Sequence, residues 1–273
     1  MTTITTTIWQ EVPEPANPYA AQVARCHGYD VYGEMLGHAG WADMVFLLLT
    51  GERPDTRQKA MLESLAVALA NPGPRDPAVH AAMCGGVSGS PAAACLTAAL
   101  AVGAGGAGGA REVHRAVSAW HASRGEVGAL AAELARVVAE PAIETWPAAE
   151  VWPGFDAHSP VCPLPVLRTL DYLAPLSPGA ALVTLQQGRQ TLETGAGRGL
   201  AMTGVAAAAY VDLGMSPDQA EMLHLLLRLP GAAAHALEQA KLGFQKFPWG
   251  ELELLDDPMR KSSRNDCLAE VES

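Results

Sequence analysis

PAAACLTAALAVGAGGAGGAREVHR, residues Pro91–Arg115, is a run of alanine and glycine that carries little bulk. Alanine is the best helix former, so Ala92 to Val102 reads as a helix with flat faces that let neighbours approach closely. The glycines after Val102 read as a tight turn, and a second helix follows. The turn contains a literal G-x-G-x-x-G, with Gly103, Gly105 and Gly108, and Glu126 lies roughly where a ribose-binding acid would be sought. That fingerprint has force only behind a strand, because the turn must present helix N–H groups to a pyrophosphate at the edge of a parallel sheet. Here the lead-in is alanine-rich with little β-branched content, which favours a close-packing turn. A nicotinamide-dependent enzyme stands as a reading only if a strand precedes Gly103.

Composition agrees with packed helices. The 273 residues suffice for one large domain or two lobes, and hydrophobic residues make up 49% while aromatics are only 5%. A core must therefore be built from Ala, Leu and Val, and little or no β-sheet is expected. No apolar run reaches the roughly 18 unbroken residues of a membrane span. The start, MTTITTTIWQEVPEP, has neither a basic nor an apolar leader region, so a cytoplasmic protein is expected. Five cysteines without a C-x-x-C pair argue against a disulfide framework or zinc cluster. The net charge of -11 opposes non-specific nucleic-acid binding, and an anionic ligand would need a locally basic pocket.

Outward from the glycine turn, the pattern predicts an N-terminal arm over residues 1–18 and a helix-compatible stretch from Tyr19 to His27. Trp41 to Thr50 reads as an apolar helix stopped by Gly51 and Pro54, and Asp55 or Thr56 caps the next, where Met61, Leu65, Ala68 and Leu69 recur at helical spacing. After Arg111 a helical stretch runs to about Ala139. A proline-studded connection then leads to helices over Val166–Leu173 and Ala181–Glu193. GAGRG, Gly195 to Gly199, reads as a hinge. Residues 256–273 form a polar tail.

Several segments carry a resemblance. GYDVYGEMLGHAGWADMVFLLLTGERP, from Gly28 to Pro54, resembles the early G-Y-D/P-I-x-x-L and Y-L-L-L-x-G-E-x-P segments of the citrate synthase superfamily. GGAREV, Gly108 to Val113, resembles the G-G-A-x-E that follows its first catalytic histidine. PGF, Pro153 to Phe155, resembles the start of its P-G-F-G-H-R loop. AAAAYVDLGMSP and RLPGAAAHALEQ, from Ala206 to Pro217 and Arg228 to Gln239, resemble its closing helices. The matches run in order from about Gly28 to Gln239, and the short chain is most similar to the citryl-CoA lyase branch.

The resemblance implies a mainly α fold. A large helical domain would comprise residues 19–111 and 201–255, with a smaller helical domain over 112–200 inserted in it. It also implies C–C bond making or breaking beside a CoA thioester, with a 2-oxo acid as second substrate. In the family one carboxylate and two histidines form and stabilise an enol. Each corresponding position is altered here. The first histidine matches Ala107, the second falls at Asp156, Ala157 and His158, and the catalytic aspartate matches Thr203.

Asp156 and His158 are the best remaining acid/base pair, the alternative being a solvated aspartate beside an incidental histidine. Thr203 occupies the base position, although a neutral hydroxyl is a poor base. Arg228 matches the arginine that grips a substrate carboxylate; its alternative is a structural salt bridge. Gly108 and Gly109 belong to the substrate-binding turn by the same resemblance. His235 matches a position whose side chain is usually structural. His80 and Cys84 share a helix face, for which a buried thiol beside an incidental histidine is the preferred reading. His114 and His121 are one heptad apart and could meet a metal, but no acidic or thiol partner stands at ligand spacing, so no metal is expected. Arg111 and Glu112 read as a charged first turn. Lys241, Lys246 and the Arg260 to Arg264 cluster could meet CoA phosphates.

The expected function is a citrate synthase-like or citryl-CoA lyase-like protein with a degenerate catalytic triad, with no permanently bound cofactor and a CoA thioester as substrate. A catalytically silent subunit beside an active paralogue is the alternative. The expected partners are an acyl-CoA, a keto acid and a second chain, either a homodimer mate or a paralogue, joined through the alanine-rich helix. Neither nucleic acid nor membrane is expected.

Overall fold

The fold was analysed in a computed structural model that describes residues 4–139 and 151–250. Arg260, Arg264, Cys267 and the expected tail over 256–273 lie outside the described residues, as does part of the proline-studded connection.

The chain opens on a small antiparallel sheet of three strands, β1 (Trp9–Glu14), β2 (Asn17–Cys26) and β3 (Tyr29–Asp30), in the order β1-β2-β3. This corrects the helical reading of Tyr19–His27, while a sheet this small agrees with the mainly α fold expected. The register pairs Trp9 with Cys26 and Val12 with Val23, and it slips on either side of Pro13. Pro13 has no N–H to donate, and β1 is an edge strand where that loss is tolerated. Ala24 and Cys26, two residues apart, are the buried positions of β2. A period of two, fixed by the partner strand, overrides the weak helical propensity of this stretch.

The rest is helical: α1 (Trp41–Thr50), α2 (Thr56–Leu69), α3 (Pro77–Val87), α4 (Ala92–Gly103), α5 (Ala110–Ser123), α6 (Val127–Ala139), α7 (Leu164–Leu173), α8 (Ala181–Ala196), α9 (Met202–Asp212) and α10 (Pro217–Leu242). The expected ends of α1 hold, with Gly51 in the left-handed region at φ 80°. Asp55 caps α2 by accepting the Gln58 N–H, while the Gln58 side chain returns to the Asp55 N–H. The helical stretch expected from Arg111 to about Ala139 is two helices, parted where Arg124 and Gly125 both take positive φ. Gly103 closes a helix, not a strand, so the condition for a dinucleotide turn is not met.

The largest core gathers α1, α2, α5 to α8 and α10 around α9. From Thr203 to Tyr210 every residue of α9 is buried, and Ala206 to Ala209 are wholly enclosed. Helix α9 has no polar face because neighbours cover it on all sides, and its alanines let them come close. A smaller core joins α3, α4 and α10 through Val79, Ala82, Cys95, Ala99 and Ala232. Helix α10 carries Pro230 in its interior, followed by Gly231, whose N–H leaves the helix to donate to Ala70 O at 2.7 Å.

Candidate functional site

Three segments that lie far apart in sequence meet at one buried carboxylate. Glu112 is the third residue of α5 and is only 7% exposed. Its Oε1 accepts the Thr203 hydroxyl at 2.6 Å and the Gly154 N–H at 2.9 Å, and its Oε2 accepts the Gly108 N–H at 2.5 Å. Two backbone amides and one hydroxyl thus surround a charge in the first turn of a helix, where an anion is electrostatically favoured. Glu112 does lie in the charged first turn expected of it, but it is buried there and joins the segments of the site.

Each segment is shaped for this meeting. Gly108 takes φ 68°, and Gly109 has no room for a side chain, since a Cβ there would lie 2.5 Å from Gly105 O. The Trp152–Phe155 turn packs on the start of α9: Ala201 N–H donates to Gly154 O, and Phe155 bridges to Leu200. Gly154 and Gly204 nearly touch, for a Cβ on Gly154 would sit 2.8 Å from Gly204 Cα and one on Gly204 2.5 Å from Gly154 O. Trp152 lies edge-on to Phe155 and fills the space over Gly195.

Gly108 also connects the carboxylate to Arg228. Its carbonyl accepts from Arg228 Nη1 at 3.2 Å, and Arg228 Nη2 is paired with the Asp76 carboxylate. Both side chains of that pair are nearly buried, and the other Asp76 oxygen caps α3 through the Ala78 and Val79 N–H groups. The cavity beside Arg228, bounded by Asp76, Gly103, Leu225 and Ala232, is about 10 Å³, barely one water. A keto-acid carboxylate would have to displace Asp76 to reach this guanidinium.

Of the residues singled out in the sequence, Thr203, Gly108 and Arg228 belong to one hydrogen-bonded network through Glu112, with Gly109 beside it. Asp156 and His158 do not form a side-chain pair among the described contacts. Asp156 accepts the His158 backbone N–H at 2.8 Å and donates its own N–H to Gly199 O, while the His158 side chain is exposed. His235 bonds Asn71 at 3.1 Å, tying α10 to the end of α2. His80 lies edge-on to Phe247, and Cys84 is exposed, which corrects the buried thiol expected there. His121 bonds Met215 O, whereas His114 faces two carboxylates of α10, Asp218 and Glu221. The expectation that His114 has no acidic neighbour is thereby corrected. Lys241 and Lys246 are exposed at the end of α10 and just beyond it.

Two residues of this network, Glu112 and Asp76, were not singled out in the sequence as site residues. A signal for Glu112 was present: an acid three positions after Gly109 has capping-box spacing, which turns a side chain back on the preceding loop. Deeper in the core, His224 is 2% exposed and its Nδ1 is hydrogen-bonded to the Tyr210 hydroxyl at 3.3 Å. Burial raises the Tyr210 pKa, keeping the phenol protonated, and holds the His224 ring neutral with its pKa lowered to about 3. Burial likewise pushes the Cys162 thiol up to about 11, so it is no nucleophile at neutral pH.

No protein-family model matches the chain, and no curated protein does. Solved structures do. The chain is similar to citryl-CoA lyase from Hydrogenobacter thermophilus, with a TM-score of 0.65 and 17% identity, covering 96% of this chain and 100% of that one. It is similar to ATP citrate lyase from Methanothrix soehngenii in complex with citrate and coenzyme A, with a TM-score of 0.68 and 15% identity over 94% of this chain. There it spans 42% of the longer protein. Citrate synthase from the archaeon Thermoplasma acidophilum, in a ternary complex with carboxymethyl coenzyme A and oxaloacetate, gives a TM-score of 0.52 at 12% identity, covering 82% of this chain and 60% of that one. The chain therefore has the mainly α, citrate synthase-like fold, as its sequence motifs imply.

Proposed function

We propose that the protein binds a CoA thioester and a 2-oxo acid and acts at the C–C bond beside the thioester, as a citryl-CoA lyase-like enzyme with a rebuilt proton-transfer group. The single observation that carries this is the 2.6 Å hydrogen bond from Thr203 to Glu112. A hydroxyl alone is a poor base, but a hydroxyl backed by a carboxylate can accept an α-proton while passing its own proton to that carboxylate. Thr203 occupies the position of the family base, and Glu112 Oε1 would take the relayed proton. The enol oxygen would lack the histidine that Ala107 replaces, so turnover would be slow. No cofactor is bound permanently in this reading. Asp156 and His158 line the neighbouring loop and would contact substrate only after it rearranges.

Further parts of the reading are a large lobe over 19–111 and 201–255, an inserted lobe over 112–200 that closes on the thioester, and a cytoplasmic location. A second chain would dock on α4, whose Ala92, Ala93, Ala94 and Ala101 are exposed. No helix among the described residues is long and apolar enough to cross a membrane.

A catalytically silent homologue is the second reading, favoured by the three donors on Glu112, which suit a fixed structural anchor as well as a base. Deuterium exchange at the α-carbon of acetyl-CoA or propionyl-CoA separates the two. The enzyme reading expects exchange in the wild type that is lost in Thr203→Val and Glu112→Gln. Exchange that survives both substitutions would remove the Thr203–Glu112 relay. Calorimetric CoA binding with no exchange of any thioester would leave the silent reading.

A further inference from the structure

Helix α5 presents His114 and α10 presents Asp218 and Glu221, one helical turn apart, towards a common point. One ligand atom from each of the three lies within 4.8 Å of the other two. His114 Nε2 is 3.2 Å from Asp218 Oδ1, close to the edge of about 3.3 Å that a tetrahedral zinc-type ion with bonds near 2 Å imposes on its ligands. The ring's other nitrogen, Nδ1, is buried without a hydrogen-bond partner, so Nε2 is the atom through which this ring can meet a ligand.

We infer that His114, Asp218 and Glu221 form a binding site for a divalent transition ion of the zinc type, clamping α5 to α10. One imidazole and two carboxylates match the donor set such ions accept, with a fourth position left to water. Two carboxylate charges balance the ion, and the negative net charge of the chain favours its approach. The competing group is Arg111, whose Nη1 is 3.1 Å from Glu221 Oε2. The Arg111 side chain is about half exposed and Glu221 20% exposed, and a partly solvated pair of this kind contributes modestly, so an ion can displace it. Asp218 is 89% exposed and already turned towards His114. His114 lies two residues after Glu112 and Asp218 precedes Arg228 on α10, so the clamp would brace two of the helices that supply the candidate site. The inference is independent of the reaction proposed for that site.

The test is a titration of the tag-free full chain with cobalt(II) chloride and zinc chloride, read by calorimetry and by the visible cobalt spectrum. One ion per chain is expected, with affinity reduced about tenfold or more in Asp218→Asn and lost in His114→Ala. Zinc should raise the melting temperature of the wild type and leave that of His114→Ala unchanged. Asp218→Asn alters an exposed side chain and keeps the comparison valid if His114→Ala folds poorly. Absence of binding below millimolar ion, or equal affinity in wild type and Asp218→Asn, would overturn the site.

Discussion

Thr203 and Glu112 are 91 residues apart, yet the hydroxyl of one donates to the carboxylate of the other at 2.6 Å inside the core. The same carboxylate takes the Gly108 and Gly154 amides, so its loss should be felt in three segments at once. Glu112→Ala strands three donors, the Thr203 hydroxyl and the Gly154 amide among them buried, and is expected to cost about 3 kcal/mol or more. Glu112→Gln keeps an acceptor and should cost less. Urea unfolding of the three proteins checks this, and equal midpoints would show that Glu112 is no junction.

Arg228 is expected to behave as a latched residue. Replacing Asp76 by Asn weakens its hold on the guanidinium while keeping an oxygen for the α3 cap, so keto-acid affinity should rise if Arg228 is the carboxylate grip. Arg228→Ala should then weaken keto-acid binding by roughly 2 to 4 kcal/mol. Calorimetry on both variants decides it. Unchanged affinity in both would confine Arg228 to holding α3 against the glycine turn.

Stability should fall in acid for a reason local to His224. The unfolded ring takes up a proton near its ordinary value of about 6.5, whereas burial makes the folded ring resist until about 3. The folded pKa is depressed, so its stabilising share is full above about pH 6.5 and declines as pH drops towards 3, by roughly 5 kcal/mol in all. His224→Gln keeps a hydrogen-bonding partner for Tyr210 and should flatten that part of the profile. The difference in unfolding free energy between wild type and variant, followed from pH 7 to pH 4, is the measurement. A difference that does not vary with pH would refute the assignment.

Gly231→Ala should destabilise by about 2 kcal/mol or more, because the added carbon would lie 2.5 Å from Ala70 O and break the contact between α10 and the end of α2. A melting curve suffices. An unchanged midpoint would mean that this junction can open at little cost.

Local signals carried much of the fold. Gly51 ending α1, Asp55 capping α2 and the alanine run of α4 are all decided within a few residues of themselves. Tyr19–His27 misled because its strand character comes from the partner Trp9–Glu14, not from its own composition. The site was legible only as a set of segments. Glu112 draws its meaning from Gly154 and Thr203, 42 and 91 residues away, and Arg228 from Asp76, 152 away. His114 gains its acidic neighbour 104 residues downstream. Spacing along a chain does not report such pairings, which arise only when helices pack.

The mutual fit of Gly154 and Gly204 sets different rules for neighbouring positions. Neither can gain a single carbon without pushing one main chain off the other. The adjacent Thr203 meets its surroundings through a side chain and one hydrogen bond, so that position can exchange its functional group while the backbone stays in place. A lineage could therefore change or lose its chemistry at 203 by one substitution and still inherit the architecture whole, whereas drift at 154 or 204 would have to be repaired at both in concert.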